Sequence, residues 1–292
     1  VPAAGGAHLS LATYFSLATR NLSRNSGRTA LTLAALVIAM GALTYLMSFV
    51  NAYVGSMKEN FVLTMNGHIQ IYAPEFKETN LIDNYMRDTQ PVTDLLDADL
   101  AVRGWTRRVT ASGLASVARA TTAIAIVGVD PVREAEVSRL KNFVVQGEWL
   151  VPEDAGGVLL GKEAAENLDV ELGDKVVMMT QGPGGDVVSE AFRVRGLVAS
   201  GIPDIDRGLA LVTLQSSQSW LGLGDGATEI VVRTHEFEEV DPLADALQAQ
   251  FGGSLDIERW YNLNPLIEQM LAMQDAGWEV ASHGLKWIDY KD

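Results

Sequence analysis

The chain of 292 residues contains no cysteine, so it has neither a disulfide framework nor a thiolate metal site. Histidine is nearly as scarce, with four in all. His8, His68, His235 and His283 are scattered, and no two have metal-ligand spacing. Basic residues are outnumbered, because 22 Lys and Arg against 37 Asp and Glu leave a net charge of -15. The first 57 residues hold three Arg and no acid, so the remainder carries -15 - 3 = -18. So acidic a body lacks the basic face that duplex nucleic acid requires. No repeat with a period of roughly 20 to 50 residues is visible, which removes solenoids and propellers.

Catalytic groupings are missing too. No serine lies in a nucleophile motif with a partnered histidine. Gly222-Leu-Gly-Asp-Gly226 lacks the Lys-Ser/Thr ending of a phosphate loop and reads as a turn. Asp204-Ile-Asp206 lacks the further oxygen ligands and the closing glutamate of a calcium loop, so it reads as an exposed acidic loop. No catalytic residue, cofactor or metal site is expected.

What the chain does have is one long uncharged stretch from Thr29 to Met57, rich in Leu, Ala, Val, Ile and Met. About twenty apolar residues cross a bilayer as a helix, so residues 28–57 are read as a transmembrane helix with an outward extension. Gly41 and the small hydroxyls inside it are compatible with a helix that satisfies its own polar groups. Arg20, Arg24 and Arg28 precede the stretch, whereas the next charges, Lys58 and Glu59, cancel. Positive loops stay in the cytoplasm, so the N-terminus is expected inside and everything after residue 57 outside. A cleaved signal peptide shares the basic start, but its apolar core is only about 7 to 15 residues, and no small-x-small cleavage site follows here.

Residues 9–27 place Leu11, Tyr14, Phe15, Ala18 and Leu22 at helical spacing with Arg20 and Arg24 between them. This reads as an amphipathic helix in the cytoplasmic interface, broken by Asn25-Ser-Gly27; a plain polar approach to the membrane is the alternative. Beyond the membrane, short strands alternate with single short helices, which argues for α+β packing rather than a doubly wound parallel sheet. Strands are expected at Gly67 onward, Val109 to Ala118, Thr122 to Val129, Val158 to Leu160 and from Lys175. Gln181-Gly-Pro-Gly-Gly-Asp186 is a reverse turn that makes a hairpin with the strand ending near Ser200. Then come a loop GIPDIDRG, the strand LALVTL, the helix QSSQSWL, the strand EIVVR and the helix DPLADALQAQF. A short helix EAEVSRLK follows the turn Gly128 to Pro131. Residues 265–276 read as a helix returning to the membrane. No second apolar span follows; the ending DYKD resembles the start of an epitope tag, and residues 277–292 are kept out of the fold reasoning.

Together these stretches resemble a known family. RNLSRNSGRTALT, one span, VGVDP, GEWL, VLLGKEAAENLDVELGDKV and FRVRGLVASGIPDIDRGLALVTL look like the permease subunits of ABC transporters in the lipoprotein-releasing and macrolide-exporter superfamily. The stretch Ser200 to Leu214 with LGLGDGATEIVVR resembles the lipoprotein-releasing branch. The resemblance covers about residues 9 to 276 and implies a bacterial inner-membrane protein with four membrane helices, of which this sequence holds the first. It also implies a separate cytoplasmic ATPase subunit, a second permease subunit, and a periplasmic domain at 58–264. In that domain, an α+β subdomain from about 58–120 and 205–264 would enclose a β-rich one at about 121–204. Mechanical relay of nucleotide-driven movement to cargo is the implied mechanism.

Phe49, Tyr53 and Phe61 are then the residues expected to face an acylated cargo, although lipid contact or helix packing explains apolar residues there equally. Gly182, Pro183 and Gly184 at the hairpin tip, with Asp204 and Asp206, are the expected partner-contact loops. In the lipoprotein-releasing permeases one subunit carries an extended hook here that recruits a lipoprotein carrier. This sequence departs from that pattern with the short QGPGGD. Two other readings stay open: an exporter-type permease for a peptide, toxin or drug, and a single-span anchored sensor or binding protein.

Overall fold

A computed structural model describes residues 11–263 and Gln269. The chain divides into two compact units at Met57 and Lys58. The helix expected at 265–276 and the tail at 277–292 lie outside the described residues, apart from Gln269.

In the first unit, helix α1 runs Leu11–Arg24 and helix α2 begins at Ser26, with Asn25 as the break. Tyr14 and Phe15 on α1 are exposed. Within α2 (Ser26–Phe61), Ser26–Val50 is long and apolar enough to cross a membrane, and none of it is buried in protein. Its 25 residues rise about 37 Å as a helix, more than the roughly 30 Å hydrocarbon core. The hydroxyls of Thr32 and Thr44 donate back to Arg28 O and Met40 O at 3.0 and 2.9 Å, so neither presents an unpaired polar group to lipid.

The second unit is a mixed α+β body around one sheet. In chain order its elements are β1 (Ile69–Tyr72), α3 (Phe76–Thr79), α4 (Gln90–Ala98), β2 (Val102–Ser116), β3 (Thr121–Val129), α5 (Pro131–Val137), β4 (Val144–Gly147), β5 (Gly157–Gly161) and α6 (Lys162–Leu168). Then follow β6 (Lys175–Gln181), β7 (Val187–Val198), α7 (Pro203–Gly208), β8 (Leu209–Thr213), α8 (Leu214–Leu221), β9 (Glu229–Thr234), α9 (Val240–Phe251) and β10 (Asp256–Arg259). The ten strands run β10-β1-β9-β2-β3-β8-β5-β7-β4, with β6 pairing β2 and β7. Among the described residues, β3 with β8 and β5 with β7 are parallel, and the other pairings are antiparallel, including the β6–β7 hairpin.

β2 is the spine. Its first half pairs with β9 and its last four residues with β6, so one strand reaches both halves of the sheet. Two of the apolar clusters lie on either side of it. One gathers Ile69, Ile71, Leu96, Ile230, Val232 and Leu247, and the other Ile126, Leu160, Leu168, Met178, Phe192 and Val212. β8 lies between β3 and β5, so the sheet is continuous across residues 121–204 and the segments that flank them in sequence.

Three local expectations need correction. The loop expected over GIPDIDRG is the short helix α7, with Pro203 in its first turn. Asp206 is not on an exposed acidic loop: it is buried, and its carboxylate accepts Ser200 N, Ser200 Oγ and Gly201 N at 2.7, 2.9 and 3.0 Å. Those bonds draw the helix inward, against Gly161, where any side chain would strike the Ile205 and Asp206 carbonyls. The helix expected over EAEVSRLK begins earlier, at Pro131, and ends at Val137. The turn Gly128 to Pro131 is its start, because the Asp130 carboxylate accepts Val132 N and Arg133 N and proline is suited to the first helical position. Edge strands β4 and β10 were not expected, since four half-exposed residues leave no alternation to read.

Candidate functional site at the helix-to-body junction

The last turn of α2, from Lys58 to Phe61, belongs to the body, and the chain leaves it through a π-helical turn at Val62–Asn66. Such wide turns are rare and concentrate at functional positions. Gly67 N closes the turn on Val62 O at 2.8 Å, and Asn66 Nδ2 donates to Phe61 O at 3.1 Å. Gly67 has φ of 65° and packs against Val231 and Val232, a conformation and a space that suit glycine. Val62 and Leu63 are then buried in the core, with Phe61 packed against it.

Arg139 binds this turn from the other side. Its N–H donates to Leu63 O at 2.6 Å, and its guanidinium reaches Asn60 Oδ1 at 3.0 Å and Glu59 Oε1 at 3.3 Å. Arg139 follows α5, which is itself fastened to the sheet. Arg108 on β2 makes a double hydrogen bond to Glu134 on α5, at 2.7 and 3.0 Å, with both side chains essentially inaccessible. Ser138 Oγ donates to the same Glu134 at 2.5 Å. A continuous run of bonds therefore leads from the end of α2 through Arg139 and α5 to the middle of the sheet.

A second carboxylate shares the buried guanidinium. Glu229 on β9 lies 3.6 Å from Arg108 and accepts Thr110 Oγ1 at 3.2 Å. Burial holds its carboxyl above the usual carboxylate range, although Arg108 opposes this. Burial works against charge on Arg108, but Glu134 and Glu229 more than offset it and raise its pKa. The Tyr72 phenol beside them is raised as well, first by burial and then by Glu229, and it bonds Gln70. Satisfied ions of this kind fix geometry and offer no free nucleophile or acid.

His68 fastens the start of β1. Its Nδ1 accepts the Thr234 backbone N–H at 2.9 Å, so this nitrogen is unprotonated. Burial, and then the charge of Arg233, lower its pKa to about 4. Phe237 meets the imidazole edge to face at 4.6 Å, Trp260 meets Phe237 at 5.5 Å, and Lys58 Nζ stands 5.9 Å over the Trp260 ring.

The residues singled out from sequence are distributed differently. Phe49 and Tyr53 are exposed and stacked at 6.4 Å, while Phe61 packs on the body's core. At the hairpin tip Gly182 is buried, Pro183 half-buried and Gly184 exposed with a positive φ. The tip is tied down, because Gly184 N donates to Asp83 Oδ1 at 2.6 Å. Asp204 is exposed, and Asp206 is the buried anchor of α7. Sequence reasoning missed Arg108, Glu134, Glu229 and Arg139. Nothing in the local pattern marks them, since Arg108 and Glu134 stand 26 residues apart and the side-chain partners of Glu229 and Arg139 lie farther away still.

The chain therefore combines one apolar helix of membrane-crossing length with an α+β body whose first residues are bonded to Arg139. The chain belongs to the MacB-like periplasmic core domain family, whose pattern matches residues 29–250. It is 29% identical over 196 residues to the lipoprotein-releasing system transmembrane protein LolC of Xylella fastidiosa, covering 65% of this chain and 47% of that protein. A shorter match, 35% over 63 residues, is to the corresponding protein LolE of Haemophilus influenzae and covers 22% of this chain and 15% of that one. The chain thus spans about half the length of the LolC proteins it matches. Among solved structures, the periplasmic region of MacB from Actinobacillus actinomycetemcomitans shares the fold, with a TM-score of 0.50, 16% identity, and coverage of 72% of this chain and 94% of that one.

Proposed function

We propose that this chain is part of a permease subunit of an ABC transporter that releases lipoproteins from the bacterial inner membrane. A separate cytoplasmic ATPase subunit and a second permease subunit complete the machine, with the N-terminus cytoplasmic and the body periplasmic. The observation that carries the mechanical part is the junction itself. The end of α2 is bonded through Asn60, Glu59 and Leu63 to Arg139, and α5 is bonded through Glu134 to Arg108. A displacement of the helix end is thereby delivered to the centre of the sheet rather than lost in a loose linker. The kinship with LolC supports lipoprotein as the cargo. The arginines before the span support the orientation.

In this reading the stacked pair Phe49 and Tyr53 offers an exposed apolar surface to an acyl chain, whereas Phe61 serves the body's packing. The hairpin tip, short and held by Asp83, is a partner contact without the reach of a carrier-recruiting hook. The test uses the complete permease with its companion subunits in vesicles loaded with a triacylated lipoprotein. ATP should release the lipoprotein, and Phe49→Ala with Tyr53→Ala should lower release while leaving ATP hydrolysis. ATP-driven passage of a peptide or drug without lipoprotein release would favour the exporter reading. A reading frame with no further apolar spans beyond this chain would favour an anchored sensor.

A further inference from the structure

The body beyond Met57 carries 37 acids against 22 - 3 = 19 bases, yet several of its cations meet in one place. Arg233 on β9 pairs across the ladder with Gly104, next to the β-bulge on β2 that holds Arg103. The Arg233 guanidinium donates to Glu136 O at 3.1 Å, at the end of α5. Three residues on, Arg139 reaches the last turn of α2, where Lys58 stands over Trp260. Arg103 is exposed, and no hydrogen bond or ion pair from its side chain is present among the described residues. Arg233 has a lowered pKa, first from burial and then from Arg103 and Arg139, with Glu59 opposing. Two acids lie among these cations: Glu59 pairs with Arg139, and the Glu136 side chain lies beside Gly104, so the four cations outnumber the carboxylates near them.

Crowding guanidinium groups is unfavourable unless something of opposite charge meets them. An acidic body would normally find that charge among its own carboxylates. Here the cations flank the point where the chain enters the body, and only eight residues of one helix, about 12 Å of rise, separate Val50 from Lys58. Tyr45, Phe49 and Tyr53 lie between or just before, exposed at four-residue spacing along α2, as aromatic residues do at the headgroup level. Covalent connection therefore keeps Lys58 close to the end of the apolar stretch.

We infer that Lys58, Arg103, Arg139 and Arg233 form a docking face for the anionic phospholipid headgroups of the leaflet on the body's side. The inference rests on α2 being a bilayer crossing, as in the proposed function. The phosphates supply the counter-charge that Glu59 and Glu136 leave unmet.

The test uses the full chain reconstituted into vesicles of phosphatidylcholine containing phosphatidylglycerol, with a photoactivatable headgroup probe on one lipid or the other. The phosphatidylglycerol probe should label peptides around Arg103 and Arg139 severalfold more than the phosphatidylcholine probe. Each of Arg103→Gln and Lys58→Gln should lower that preference by roughly two- to fivefold, the usual contribution of a basic side chain at an anionic surface. Excess inorganic phosphate should not compete, which separates a lipid surface from a free anion site. Neither replacement removes a backbone hydrogen bond, so a folded body is expected, and its circular dichroism checks this. Equal labelling by both probes, a preference untouched by Arg103→Gln, competition by free phosphate, or crosslinks from this face to a second protein body would each overturn the inference. Alkaline carbonate extraction of the same vesicles separates the two claims. A chain washed off the membrane sinks the crossing and the inference with it, whereas an anchored chain with equal labelling sinks the inference alone.

Discussion

Between Ala30 and Phe49 every described side chain is exposed and none is charged, whereas in the body Arg108 and Glu134 are 1% and 0% exposed. In water each large aliphatic left outside forgoes about 1.5–3 kcal/mol of burial, so the first arrangement is stable only where the surroundings are themselves apolar. An isolated ion inside a protein costs several kcal/mol, so the second is stable only with its partners in place. The two regions follow different rules of burial, and within the body the residues that follow the apolar stretch, Glu59 and Asn60, are bonded to Arg139. The bonds differ as well: in α2 they are local and repeat every four residues, while in the body the decisive ones join β2 to α5 and β9.

Removing one buried ion should hurt most. Arg108→Ala leaves Glu134 and Glu229 without their cation, and a loss of about 3–5 kcal/mol is expected in urea unfolding followed by tryptophan fluorescence. Replacing Arg108, Glu134 and Glu229 together by Met, Leu and Gln should restore much of that, because no carboxylate is then left without its cation; if the triple replacement costs as much as the single one, the role assigned to the ion cluster is wrong. On the other side of the comparison, Ile38→Arg should make insertion of the span less favourable by about 2.5–3.5 kcal/mol. Carbonate-resistant chain should fall accordingly, and an unchanged yield would mean that α2 is covered by protein and not by lipid.

A pH series sharpens the picture at His68. Its folded pKa of about 4 lies below the ordinary 6.5, so as pH falls from 6.5 the unfolded chain takes up a proton that the folded chain refuses. Stability contributed by neutral His68 is thus full above pH 6.5 and lost down to about pH 4, a change on the order of 3 kcal/mol. His68→Asn should remove this part of the acid dependence, and identical slopes for both proteins between these pH values would contradict the buried neutral imidazole. Last, Arg139→Gln keeps the bond from its backbone to Leu63 and loses only half-exposed contacts to Asn60 and Glu59. Under about 1 kcal/mol of stability is expected to go, yet amide exchange at residues 59–62 should quicken measurably. Unchanged exchange would show that the side chain fastens nothing.

Much of the strand order along the chain could be read from alternation. The hairpin around Gly182-Pro-Gly-Gly185 was marked by its turn residues, and the cap at Thr213 before α8 follows the usual side-chain rule. Where α7 was read as a loop, the misleading feature was composition: GIPDIDRG has the glycine, proline and aspartate of a turn. What made it helical was Asp206 folding back onto Ser200 and Gly201, a contact no periodicity reports. The candidate site was less legible. Arg108 sits in a strand whose neighbours are arginine and valine, and Arg139 sits just past a short helix. Either would ordinarily be assigned to the solvent.

By itself the sequence determined that an uncharged span of bilayer length leads into an acidic, cysteine-free α+β body, because length, charge and alternation are local properties. Only the tertiary structure decided that Arg139 bonds Glu59 and Asn60, that Glu134 on α5 bonds Arg108 in the sheet, and that Arg103 and Arg139 gather near Arg233. Those outcomes depend on residues distant in the chain meeting across β2, and the energy of such meetings has no trace in any single stretch.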